Sequence, residues 1–240
     1  MFVSRPQQSV IDEWQRYHEK QASVCTHPVL QRFYQTPLLA ADTPLSRVSF
    51  VALDFETTGL DPRRNEIVSI GIVPFTLQGI FPAEGYYQVV KPTRTLTEES
   101  IAFHRITHSQ VDAAPPLEKV LNELVEQLRG RMVVVHYREI ERPFLDLACR
   151  QLWRERCLFP LIDTMAIEAR WERRGWKQSL KQLFGGQPVS IRLNDSRQRY
   201  GLPVYSSHHA KVDAMATAEL FSAQVARHYD PTTPIGQLWD

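Results

Sequence analysis

Residues Arg47–Val73 read RVSFVALDFETTGLDPRRNEIVSIGIV. The opening RVSFVALDF, Arg47–Phe55, is β-branched and aromatic with apolar side chains on both faces, the composition of an interior strand. TTGLDPRRNE, which follows Glu56, is turn chemistry. IVSIGIVPF from Ile67 is a second strand, and GYYQVVKP from Gly85 a third. Three strands in succession with short connections predict an antiparallel meander.

The pattern then changes period. Leu117, Val120, Leu121, Leu124, Val125 and Leu128 form one helical stripe, closed by Gly130. Met132–Val135, MVVV, is a short continuous apolar run of the kind found in buried parallel strands. Arg142–Leu152 reads as helix with Pro143 in its first turn, and Leu158–Asp163, LFPLID, as a last strand. Thr164–Trp171 and Ser179–Phe184 read as short helices, the second stopped by Gly185 and Gly186. Gln187–Ser207 is polar and reads as a surface loop. Ala210–His228 is the last helix, with Ala214, Thr217, Ala218, Phe221 and Val225 as its buried face. This order predicts an α/β fold, a mixed sheet flanked by helices.

Before Arg47 the chain differs. Val10–Gln21 suits a polar helix, and His27–Tyr34 carries Val29, Leu30, Phe33 and Tyr34 at helical spacing. Pro37 and Pro44 make the next stretch an extended connector. The expected organisation is an N-terminal appendage and linker over 1–46, a main domain over 47–228 and a tail over 229–240. The appendage either packs on the domain or docks a partner. Leu238 and Trp239 look exposed and loosely match a clamp-docking peptide, although a tail folded back on the domain is the plainer expectation.

The bulk numbers restrict the function little. A net charge of +1 neither requires nor excludes nucleic acid, since an enzyme gripping a strand end needs few phosphate contacts. The three cysteines, Cys25, Cys149 and Cys157, show no CxxC or CxxH spacing, which argues against structural zinc and a disulfide framework. The start has no apolar signal core and no run is long enough to cross a bilayer, so a cytoplasmic protein is expected.

Three pieces carry chemistry. Asp54 and Glu56 end the first strand two residues apart, hence on one face, where two acids repel unless a cation lies between them. An oxygen-seeking divalent ion meets that need. In SSHHAKVDAMATAEL, His208 lies in a loop and Asp213 in the first helical turn; a fixed acid suits a metal ligand, and a loop imidazole suits a general base. His209 competes with His208. In VVVHYREIERPFLD a buried strand ends near His136, placing Glu141 by the sheet's C-terminal edge, with Glu139 as its rival.

Taken together, FVALDFETTGLDPRRNEIVSIGIV, the His-x-x-x-x-acid-x-x-Phe-Leu segment and H-x-A-x-x-D-A-x-A-T-A-E-L resemble the DEDDh (DnaQ-like) exonucleases, which include the proofreading epsilon subunits of bacterial replicative polymerases. The resemblance spans roughly Arg47–Ala226. It implies a ribonuclease H-like fold with a five-stranded mixed sheet, and metal-dependent 3′-5′ hydrolysis of nucleic-acid ends, single-stranded DNA first and RNA as the alternative. It implies two Mg²⁺ (or Mn²⁺) ions, Asp54 bridging them, Glu56 and Asp213 on the first, Glu141 toward the second, and His208 as general base. Thr57, Thr58, Leu60, His104, Ile106 and Thr107 match positions that approach the terminal nucleotide. A polymerase or sliding-clamp partner follows from the same likeness, and so does a weakly active nuclease-like binding subunit as a rival. The chain departs from the pattern at Glu141, where Asp is usual, and at Tyr137, Ile140 and Arg105.

Overall fold

The computed structural model describes residues 7–94, 98, 106–172, 188–206 and 208–239. Two helices open it, α1 (Gln7–Val24) and α2 (Pro28–Gln35). The sheet begins with β1 (Phe50–Thr57), β2 (Ile67–Thr76), the two-residue β3 (Gly79–Ile80) and β4 (Tyr86–Val89). Then come α3 (His108–Ala113), α4 (Leu117–Leu128), β5 (Met132–Val135), α5 (Glu141–Leu152), β6 (Leu161–Asp163), α6 (Thr164–Glu172), α7 (Leu193–Arg199) and α8 (Ala210–His228).

The sheet order is β3-β2-β1-β5-β6, with β4 also paired to β2. β1, β2 and β4 are the expected meander; β5 and β6 run parallel to β1, reached through helices as parallel pairing requires. The sixth strand is the small hairpin partner β3, too short to leave a periodic signal. β1 is buried on both faces because its side chains alternate between two cores. Val51, Leu53 and Phe55 meet α2, α4 and α5, while Phe50 and Ala52 meet α8 and the tail. Asp54 and Glu56 continue the second series, so they emerge on the side that α8 covers. There Phe50 stacks on Phe75 at 5.0 Å and meets Phe221 edge-on at 5.1 Å, anchoring α8 to β1 and β2.

Both ends of the described chain pack against this body. Val29, Leu30, Phe33 and Tyr34 are buried in the core shared with α4 and α5. Leu45 and Ser46 donate backbone hydrogen bonds to Thr233 and Pro231, and Ile235 and Gly236 donate back to Thr43 and Ala41. Leu238 and Trp239 are 5% and 4% exposed, so the tail folds back on the domain and the exposed clamp-docking alternative is not what the structure shows. A correction concerns the stretch Gln187–Ser207, expected to be loop. Leu193–Arg199 is helical because Arg197, 1% exposed, anchors it inward: its guanidinium donates to Ala216 O, Pro203 O and Glu219. A buried arginine leaves no apolar stripe to read. The helix expected over Ser179–Phe184 lies outside the described residues. The three cysteines are free and buried. No helix among the described residues is long and apolar enough to cross a membrane.

Candidate active site

The three chemical pieces meet at the C-terminal edge of β1 and β5. One ligand atom from each of Glu56, His208 and Asp213 lies within 4.8 Å of the other two. Asp54, two residues before Glu56, lies within electrostatic reach of Glu141, Glu56 and Asp213. A cleft of about 570 Å³ opens over the group, lined by Asp54, His136, His208 and Asp213 together with Arg192–Asp195.

Register explains how α8 reaches the strand. Asp54 pairs with Gly71 of β2, and Gly71 with Tyr87 of β4. A Cβ on Gly71 would fall 2.1 Å from the Ala210 carbonyl carbon and 2.3 Å from Lys211 N. The glycine therefore lets the first turn of α8 rest on the sheet beside Asp54, which carries Asp213 to Glu56. His208, just before that helix, has φ of 71°, a left-handed backbone rare outside glycine, and its N–H donates to Asp213 Oδ2 at 2.8 Å. His209, the rival imidazole, stacks on Tyr87.

Glu141 stands in the first turn of α5 and is 3% exposed, its Oε2 without a hydrogen-bond partner among the described residues. The rival Glu139 is exposed and pairs with Arg138 at 3.2 Å. The connection carrying Glu141 is held by an acid that sequence reading passed over. Asp163, at the end of β6, accepts from the backbone N–H groups of Tyr137, Arg138 and Met165. Tyr137, with φ of 85°, needs that support. The visible signal was an acid closing the apolar strand LID. Replacing Asp163 by alanine leaves three N–H groups without their acceptor and should cost about 1–3 kcal/mol, read from denaturant midpoints. An unchanged midpoint would contradict this role.

The acids are held against their own charge. Burial pushes Asp54 well above the ordinary carboxylate range, with Glu141, Glu56 and Asp213 adding to the push. Burial, then Asp213, raises Glu56 to about 8. Burial dominates at Glu141 and Asp213 too, opposed at Asp213 by the His208 N–H it accepts. His136 gives no relief: burial lowers it to about 4, so it is neutral at pH 7, its Nδ1 2.8 Å from Thr164 Oγ1. A cation replacing protons would remove this conflict.

The residues fit a hard divalent ion. Ligands on opposite sides of an octahedral ion with bonds near 2.1 Å are about 4.2 Å apart, so the carboxylate oxygens of Glu56 and Asp213, within 4.8 Å of each other, are close to coordinating distance for one ion. The unpartnered Glu141 Oε2 is a further oxygen donor at the same edge.

The other expected residues divide. Thr57 Oγ1 donates to Gly59 O, and Thr58 Oγ1 bonds the Asn65 side chain and accepts from Glu66 N, so both brace the turn after β1. Leu60 is 74% exposed on that turn. Ile106 is buried with Val68 and Val111, and Thr107 caps α3 in a reciprocal capping box with Gln110. Both side chains thus also serve packing and capping. His104 lies outside the described residues.

Residues 51–221 match the model of the RNase_T exonuclease family, from β1 into α8 and so across every acid of the site. The chain belongs to this exonuclease family. The PolC-type DNA polymerase III of Thermotoga maritima is 31% identical over 183 residues, 76% of this chain, but the chain spans 12% of that polymerase's length. The DNA polymerase III epsilon subunit of Treponema pallidum is 25% identical over 182 residues, 75% of this chain and 78% of that one. In fold, this exonuclease domain is similar to the nuclease domain of 3′hExo, a DEDDh family member bound to rAMP, with a TM-score of 0.60 at 18% identity over 75% of this chain and 92% of that one. It is similar also to exonuclease X in complex with 5′-overhanging duplex DNA, with a TM-score of 0.56 at 21% identity over 78% and 97%. The fold is therefore the expected ribonuclease H-like mixed sheet, and divalent metals are general in this family.

Proposed function

We propose that the chain is a 3′-5′ exonuclease that hydrolyses the terminal phosphodiester of single-stranded DNA and releases nucleoside monophosphates, using two Mg²⁺ (or Mn²⁺) ions. The carrying observation is the meeting of Glu56, His208 and Asp213 within 4.8 Å beside Asp54, although about 150 residues separate the β1 acids from the His208–Asp213 segment. Asp54, Glu56, Asp213 and Glu141 would hold the ions, which when bound supply positive charge to the phosphate and acidify water. His208 takes the proton of the attacking water, worth typically about 10²–10⁴-fold. Arg192, which also lines the cleft, would supply a cation for the nucleic-acid backbone. Leu60 offers an apolar surface to the terminal base.

The polymerase relatives support DNA and a polymerase partner. The buried tail removes the support for a clamp-docking peptide. We place the catalytic domain over 47–228, with 1–46 and 229–240 as stabilising additions, and the protein in the cytoplasm. RNA is the second reading, favoured by a fold neighbour described as a 3′-exonuclease recognising a histone mRNA stem-loop.

Matched 5′-labelled DNA and RNA oligonucleotides, with free or blocked 3′ ends, test the proposal. A ladder shortening from the free 3′ end, faster on DNA and abolished by EDTA, is expected. Cleavage that ignores a blocked 3′ end or survives EDTA would contradict it, and a faster RNA ladder would assign the substrate to RNA.

A further inference from the structure

Tyr87 and His209 belong to none of the roles above, yet they adjoin all of them. Asp54, Gly71 and Tyr87 are directly paired across three strands, so Tyr87 rises from the same sheet face as the acids. Between Asp54 and Tyr87 stands only the hydrogen of Gly71, and the first turn of α8 occupies that gap. The ring of His209 stacks on Tyr87 with centroids 4.3 Å apart and planes 21° apart. His209 is the N-cap of α8 and has no side-chain capping hydrogen bond. Its ring therefore does not serve the helix end in the usual way.

The neighbouring residue shows what the stack holds. His208 carries the left-handed backbone, and such a conformation in a residue with a Cβ persists only when surrounding contacts enforce it. Two flanking contacts are visible. His208 N–H donates to Asp213, and the next side chain is clamped flat against a half-buried ring on β4. The first contact fixes the distance between the loop and the helix; the second fixes rotation about it. Lys211 Nζ, reaching Gly85 O at 3.3 Å, ties the same turn to the entry of β4.

We infer that Tyr87 is a positioning residue for the hydrolysis, acting through the stacked ring of His209 to hold the backbone turn that aims His208 at Glu56 and Asp213. The inference rests on the exonuclease reading. What matters at position 209 is then a flat ring, not a basic nitrogen. Since His209 is exposed, truncating it leaves the core intact.

The test is steady-state cleavage of the 5′-labelled oligonucleotide by wild type, His209→Ala, His209→Phe, Tyr87→Ala and Tyr87→Phe, each checked by thermal melting. Loss of an aromatic stack should lower kcat roughly tenfold in the two alanine variants with KM within about twofold. The two phenylalanine variants should restore most of the rate. Full kcat in His209→Ala would overturn the inference, as would a His209→Phe variant as slow as His209→Ala, which would mean that the imidazole itself is used. Should Tyr87→Ala melt early, the two position-209 variants still decide. An inactive wild type would instead strike at the exonuclease reading.

Discussion

Replacing Asp213 with asparagine lowers the hydrolysis rate about a thousandfold or more and at the same time stabilises the metal-free protein at pH 8. Both effects have one origin. Asp213 is the charge that Glu56 feels after burial, and it stands within 4.8 Å of Glu56 and His208 as a donor. Losing a single charge-stabilising group from a prepared site costs on the order of 10²–10³ in rate, and a cation ligand should cost no less. Asparagine keeps an oxygen for the His208 N–H, so the loop stays anchored. Without the neighbouring anion, Glu56 ionises more readily, and the folded state at pH 8 loses a repulsion of about 1–2 kcal/mol. Parallel measurement of kcat and of chemical denaturation in EDTA checks both parts. A variant that is inactive because it is less stable would contradict the account, since the acids would then be structural.

Gly71→Ala should cripple the enzyme without touching any charged group. The added methyl would sit 2.1 Å from the Ala210 carbonyl carbon, and backbone on a packed helix has no rotamer by which to yield. The first turn of α8 must lift. Overpacking of this kind costs about 1–3 kcal/mol in stability. The larger effect is on Asp213 and His208, which ride on that turn; displacement of a reacting group by about 1 Å can cost on the order of 10²-fold. The expected result is a folded protein with kcat down about a hundredfold and weakened cation binding. A Gly71→Ala variant with normal kcat would mean that the helix does not set the site.

Much of this was legible in the chain. The β1 run and its two acids are local features, and so is the apolar face of α8; each records a period that burial imposes. The three motifs singled out Asp54, Glu56, Glu141, His208 and Asp213, and of the two rival acids the structure buries Glu141 and leaves Glu139 exposed beside Arg138. Residues that act across the sheet left no periodic trace. Gly71 looks like any glycine in a strand until register sets it opposite Asp54. Asp163 holds its loop through long-range backbone contacts, and α7 is fixed by a buried arginine rather than an apolar stripe. Ile106 and Thr107, suggested by motif likeness alone, also have local work that the motif does not reveal: one fills a small core and the other caps a helix. The tail was expected to fold back, but the strand-like clasp it makes with residues near 41–46 could not be read from a terminal position.

The central claim is that these acids form a cation site, and cation-linked stability measured across pH tests it most directly. Burial and Asp213 raise Glu56 to about 8, from an ordinary value of 4.5. Between those values the folded state holds a proton that the unfolded chain has lost, so the stability of the metal-free protein falls as pH rises through the window. A divalent ion competes with those protons and binds more tightly at the upper end. The melting temperature in EDTA should therefore decline from pH 6 to pH 8.5. Mn²⁺ or Mg²⁺ should restore it, with the largest gain at pH 8.5, and the gain should vanish in a Glu56→Gln, Asp213→Asn double variant. A wild-type protein whose melting temperature ignores these ions at every pH, or a double variant that responds as strongly as wild type, would contradict the account.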